Sequence, residues 1–196
     1  MKTPPHLKTA YTQGRTQQLK QLLTWWPERF KQKRVFDVGC ARGEMTWLIS
    51  QVATQVYCWD IASRFEHNIQ QLNSSNILWC RPHYVPSVDT VYAAGVLQNV
   101  MIRQDCVTWI DSWASFIDAD WWIFREVLHA FPANAKPNSA YYGDQWLASH
   151  YESGWGGTEQ VINQCKTLEV IDQYTVALPD HHSAASPQRF LLCKKL

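Results

Sequence analysis

The chain predicts an α/β protein: a doubly wound, mostly parallel seven-stranded sheet with an antiparallel last strand and helices on both faces. Three observations lead there. Short apolar runs alternate with helix-period segments from Arg34 to Val127, the pattern of parallel strands covered on both sides. The first run, Arg34-Val-Phe-Asp-Val-Gly39, passes through a turn cornered by Gly39 and Gly43 into a helix-like segment and then a second run tipped by Asp60, the opening of a nucleoside-binding βαβ unit. The last two runs have no helix pattern between them and most simply pair antiparallel.

Taken in order, Leu7 to Leu23 is a loosely amphipathic leading helix that Trp25-Trp26-Pro27 stops, because the residue before a proline is pushed out of the helical region. Strand and helix then alternate: Arg34–Gly39 strand, Glu44–Val52 helix, Gln55–Asp60 strand, Ser63–Leu72 helix, Ile77–Cys80 strand, Val88–Gly95 strand, Asp105–Ile117 helix and Trp121–Val127 strand. Phe131 to Gly157 breaks this rhythm with Pro, Asn, Ser, Gly and Tyr around a short helix candidate at Asp144–His150, and reads as a lid or substrate insert. A helix at Thr158–Lys166 follows, with Thr158 able to cap it. Strands Leu168–Leu178 and Gln188–Lys195 close the chain, joined by a connector at Pro179–Pro187.

With 196 residues, 46% of them hydrophobic, the chain can bury one substantial core, so residues 1–196 are expected to form one domain with a helical extension at 1–30 and the insert at 131–157. A formal net charge of +1 gives no argument for nucleic acid or an anionic membrane. The six cysteines are scattered with no CxxC pair, which suits reduced thiols in a cytoplasmic protein better than a disulfide framework or a zinc site. The N-terminus has no apolar signal core, and no run approaches membrane-spanning length. The eleven tryptophans fall mostly in strand and helix candidates, where core packing explains them.

The turn discriminates among ligands. A dinucleotide fingerprint G-x-G-x-x-G starting at Gly39 needs glycine at positions 41 and 44, which are Ala41 and Glu44. Glutamate in the first helical turn suits the helix dipole but repels a pyrophosphate seeking the same N–H groups. No G-K-[ST] follows, so phosphate binding is disfavoured.

Asp37-Val-Gly-Cys-Ala-Arg-Gly43 resembles the first motif of the class I S-adenosylmethionine-dependent methyltransferases, roughly D-x-G-x-G-x-G with the middle glycine often alanine. Val56-Tyr-Cys-Trp-Asp60 resembles the strand ending in a ribose-binding acid. Val88 to Val100 resembles the fourth-strand segment with its V-L-x-x-V tail, and Arg189-Phe-Leu-Leu-Cys-Lys194 the antiparallel last strand. The resemblance covers most of the chain from Val35 onward. It implies S-adenosylmethionine as cofactor, with Gly39, Cys40, Ala41 and Gly43 lining its methionine and ribose portion, Asp60 accepting from the ribose diol, Ile61 packing on the adenine, and Ala94 and Gly95 closing the floor. The family's acid after the third strand is replaced here by Cys80-Arg81-Pro82-His83.

Elementary chemistry agrees with that cofactor. It has no phosphate, its diol needs a double acceptor, and its sulfonium and ammonium groups favour a nearby carboxylate such as Asp37. Asp37 could equally brace the N–H groups of the loop. The acceptor is narrowed by what is missing: Ala93-Ala-Gly-Val96 is not the Asp/Asn-Pro-Pro-aromatic motif of nucleic-acid amino methyltransferases, no Pro-Cys nucleophile is present, and the carboxylates of a metal-dependent catechol type are not evident.

A small-molecule O or N acceptor, no metal, no nucleic acid or membrane partner, and a monomer or homodimer are therefore expected. Gln98, Asn99, Arg125 and Tyr142 are candidate acceptor contacts. His129 and Glu126 are candidate bases, read alternatively as an ordinary loop histidine and a structural partner of Arg125. The leading helix, with Tyr11, Arg15, Trp25 and Trp26, either folds over the cofactor or packs on the sheet edge. The competing functional reading is an inactive or regulatory protein that binds S-adenosylmethionine on the same fold.

Overall fold

The computed structural model describes Pro4, Leu7 and residues 10–97, 103–127, 161–180 and 183–196. Helix α1 (Ala10–Trp25) leads into β1 (Arg34–Val38), α2 (Glu44–Ser50), β2 (Gln55–Trp59), α3 (Arg64–Gln70), β3 (Ile77–Trp79), β4 (Thr90–Ala94), α4 (Arg103–Phe116), β5 (Trp121–Val127), β6 (Leu168–Asp180) and β7 (Ser183–Lys195). They form one seven-stranded sheet in the order β3-β2-β1-β4-β5-β7-β6. Strands β1 to β5 pair in parallel, and β7 runs antiparallel to both β5 and β6.

Strand alternation divides the core into two layers. Val35, Cys58, Tyr92, Ile123 and Phe190 face one side, where Leu19 and Leu22 of α1, Met45 and Ile49 of α2, and Ile69 of α3 cover them. Phe36, Val91, Trp122, Phe124 and Leu191 face the other, under Val107, Ile110 and Trp113 of α4 and under Val161 and Ile162. Each fully buried large side chain stabilises the fold by roughly 1.5–3 kcal/mol, so neither layer is dispensable.

Two expectations are refined. The final strands run further than their sequence suggests: Pro179–Pro187 is no connector, because β6 reaches Asp180 and β7 starts at Ser183, with Ala177 opposite Pro187 and Leu178 opposite Ser186. Pro187 lies one residue beyond the last described β5 pair, Val127 with Gln188. Pairing with the facing strand overrides the weak intrinsic preference of such polar, proline-containing residues. The Trp25-Trp26 pair packs at the sheet margin: Trp25 stacks on Tyr174 with centroids 4.4 Å apart, and Trp26 Nε1 donates to Asp172 Oδ2 at 2.9 Å.

Candidate functional site

The turn after β1 is closed by its own hydrogen bonds. The amides of Gly39 and Cys40 both donate to the Trp59 carbonyl, at 2.8 and 3.1 Å, and Gly43 N donates to Cys40 O at 2.9 Å. Ala41 N donates to Asp60 Oδ2 at 3.0 Å, while Ala62 N donates to Asp60 Oδ1 at 2.9 Å. One carboxylate thus ties the β1–α2 turn to the β2–α3 turn. Four of the turn's amides are committed internally, which leaves none of them to cradle a phosphate.

Three consecutive odd positions of this turn hold left-handed backbone: Gly39 at φ 71°, Ala41 at 47° and Gly43 at 89°. Glycine at 39 answers a packing demand as well. A Cβ there would stand 2.6 Å from Val96 Cγ2, so the turn lies directly against the chain leaving β4. Ala41 accepts a conformation that glycine adopts without penalty.

Asp37 is buried on the face covered by α1 and α2, where Thr46 Oγ1 donates to its Oδ2 at 2.6 Å. Burial, only partly offset by that bond and by the charge of Arg15, pushes its carboxyl up to about 7. It does not brace the amides of Gly39, Cys40, Ala41 and Gly43, which go to Trp59, Asp60 and Cys40. The Cys40 thiol is pushed upward by its hydrogen-bonding contact with Cys58 and by burial, so it is held as the neutral thiol.

Ile61, expected against an adenine, is 87% exposed beside Asp60. Ala94 and Gly95 sit at the end of β4, where Gly95 N donates to Arg125 O at 2.9 Å. Arg125 is buried, and its Nε donates to Gln188 Oε1 at 3.0 Å. Glu126 lies in β5 opposite Arg189. Gln98, Asn99, His129, Tyr142 and the 131–157 insert lie outside the described residues.

Sequence reasoning missed a buried polar layer under α1. Gln18, Gln188 and Thr46 belong to it, as does Tyr92, whose hydroxyl is buried with no hydrogen-bond partner among the described residues. Burial pushes the Tyr92 phenol up to about 12, against the opposing charges of Arg15 and Arg125. The available signal was alternation: Gln188 shares the inward parity of Phe190 and Leu192.

Among the described residues, no group of His, Cys, Asp or Glu could hold a metal ion, and no helix is long and apolar enough to cross a membrane.

A sheet ordered 3-2-1-4-5-7-6 with only β7 reversed, and a glycine turn leaving β1 beside an acid at the end of β2, is the fold of the class I S-adenosylmethionine-dependent methyltransferases. Solved structures of that fold resemble it over nearly their whole length. The magnesium protoporphyrin IX methyltransferase ChlM from Synechocystis PCC 6803, with bound SAM, is 16% identical over 96% of this chain and 86% of that one, with a TM-score of 0.61. The N-methyltransferase NodS from Bradyrhizobium japonicum WM9 is 14% identical over 93% and 97%, with a TM-score of 0.64. PH1948 from Pyrococcus horikoshii, described as a candidate RNA methyltransferase, is 13% identical over 100% and 92%, with a TM-score of 0.58. At these identities the likeness is one of fold. No family model and no curated protein sequence matches the chain.

Proposed function

We propose that this protein is an S-adenosylmethionine-dependent methyltransferase acting on O or N of a small-molecule acceptor. The observation that carries the reading is Asp60. Each of its oxygens accepts one backbone N–H, leaving acceptor capacity on both for the two hydroxyls of a ribose. The internally bonded turn beside it suits a nucleoside without phosphates. Ile61 offers apolar surface next to the same acid, and Asp37 offers a carboxylate that a sulfonium or ammonium would favour.

Bound S-adenosylmethionine supplies an electrophilic methyl group on a good leaving group, so the protein's own task is alignment and proton removal. Gly39 to Gly43 shape one wall, with Ala94 and Gly95 as floor. Arg125, Gln98, Asn99 and Tyr142 are assigned to the acceptor, and Glu126 or His129 to the proton that a hydroxyl or ammonium acceptor must lose. The near-neutral charge and the Ala93-Ala-Gly-Val96 strand end support a small acceptor over nucleic acid. We place the protein in the cytoplasm, as a single domain and a monomer or homodimer.

The test is production of S-adenosylhomocysteine from S-adenosylmethionine, with small hydroxyl and amine metabolites in one arm and total RNA in the other. Turnover confined to the metabolite arm is expected. Turnover confined to RNA would refute the acceptor class, and none in either arm would favour the inactive or regulatory reading.

A further inference from the structure

The leading helix and the end of β5 are joined through one buried side chain. Gln188 Oε1 accepts from Gln18 Nε2 of α1 at 2.9 Å and from Arg125 Nε of β5 at 3.0 Å. Gln188 Nε2 donates to Leu178 O of β6 at 3.4 Å, and Gln18 Oε1 accepts from Arg15 Nη1 at 2.8 Å. Gln188, Gln18 and Arg125 are 0%, 2% and 4% exposed, so water cannot readily substitute for a lost partner.

The polarity of this chain is fixed at both ends by arginine, which only donates. Arg125 requires the oxygen of Gln188 to face it, and Arg15 requires the oxygen of Gln18. That leaves the Gln18 amide nitrogen to meet Gln188 Oε1 and the Gln188 nitrogen to meet the Leu178 carbonyl. Turning either amide over would set donor against donor, so a single arrangement satisfies every member.

Both ends of the chain reach the candidate site. Arg15 acts electrostatically on Asp37 and Tyr92, which are register partners on β1 and β4. Arg125 is the register partner of Ala94, and its carbonyl takes the Gly95 amide. We infer that Gln188 is a positioning residue, which seats α1 beside the Asp37 end of the site and fixes the direction of Arg125 through one shared acceptor oxygen. The inference rests on the methyltransferase reading for what is being positioned: the amino-acid end of the cofactor, which the Asp37 side of the turn would face.

The experiment compares S-adenosylhomocysteine with methylthioadenosine, which keeps the nucleoside and lacks the amino-acid end. Affinities are measured by calorimetry for the wild type, Gln188→Leu, Gln188→Glu and Gln18→Leu, with amide exchange of residues 10–25 followed in each. Gln188→Leu and Gln18→Leu should each lose about tenfold in affinity for S-adenosylhomocysteine and less than twofold for methylthioadenosine. Gln188→Glu, which retains an acceptor for Arg125 and Gln18 and gives up only the long 3.4 Å bond to Leu178 O, should stay within threefold of wild type for both. Exchange in α1 should quicken in both Leu variants and not in Gln188→Glu. Equal losses for both ligands, or α1 exchange unchanged in the Leu variants, would overturn the inference. If the wild type binds neither ligand, the methyltransferase reading fails, and α1 exchange alone then decides whether Gln188 seats the helix.

Discussion

Asp60 holds the amide of Ala41 at 3.0 Å, so the acid assigned to the ribose is also the clasp of the turn that would surround the cofactor. The second clasp, to Ala62 N at 2.9 Å, orients the carboxylate from the other side before any ligand arrives. Such pre-orientation spares the cost of ordering the acid on binding.

Removing that acid should therefore act twice. Asp60→Ala leaves two part-buried amides without a charged acceptor, at a cost of about 2 kcal/mol. Chemical denaturation checks this value. Asp60→Asn, which keeps one carbonyl oxygen, should lose about half as much.

The glycine turn should respond oppositely at two neighbouring positions. Gly39→Ala meets both a left-handed φ of 71° and a contact of 2.6 Å to Val96, and should destabilise by about 2–3 kcal/mol. Adding Val96→Ala should recover the steric part and leave the backbone part. Ala41→Gly relieves a left-handed alanine and should be neutral or stabilising by up to about 1 kcal/mol. Thermal melts of the three variants give the ordering.

Asp37 predicts a pH dependence of definite sign. Its carboxyl titrates near 3.8 when free and at about 7 in the fold, so between these values the native state holds a proton that the unfolded chain has released. Stability should fall as pH rises from about 4 to 7 and level off above, by an amount on the order of 4 kcal/mol. Asp37→Asn should abolish that slope in urea melts taken across the range. Because ionised Asp37 favours a cationic ligand, S-adenosylmethionine should bind the wild type more tightly at pH 8 than at pH 6, and Asp37→Asn should show no such difference.

At the sheet margin, Trp25→Ala removes the stack on Tyr174 and the edge contact with Phe190, whose centroid lies 5.4 Å away. It should cost about 3 kcal/mol. Trp26→Phe, which removes only the donor to Asp172, should cost about 1 kcal/mol. Trp26→Phe should leave the affinity for S-adenosylhomocysteine unchanged.

The strands and the glycine turn were legible in the sequence because local pattern decides them. Val35, Val56 and Val91 sit in short apolar runs bounded by turn residues, and Asp37, Gly39 and Asp60 stand at spacings that a β-turn-α-β unit imposes. Ser183 to Pro187 were not legible as strand, since only pairing with β6 makes them one. The bonds of Gln188 to Gln18 and Arg125 span 170 and 63 residues of sequence, distances at which no local periodicity carries information. Likewise the contact of Gly39 with Val96 depends on how β4 lies beside β1, which no local pattern carries.

Asp60 is the residue through which this fold is proposed to hold S-adenosylmethionine. The most direct test is a thermal melt of the wild type and Asp60→Ala with S-adenosylmethionine, S-adenosylhomocysteine and NAD in parallel. Ligand at a hundredfold its dissociation constant adds about 2.7 kcal/mol of stability, a shift of several degrees in a domain of this size. That shift is expected in the wild type with the two adenosyl-sulfur compounds, with none from NAD and none in Asp60→Ala. A wild type that shifts with NAD, or with none of the three, would contradict the proposal.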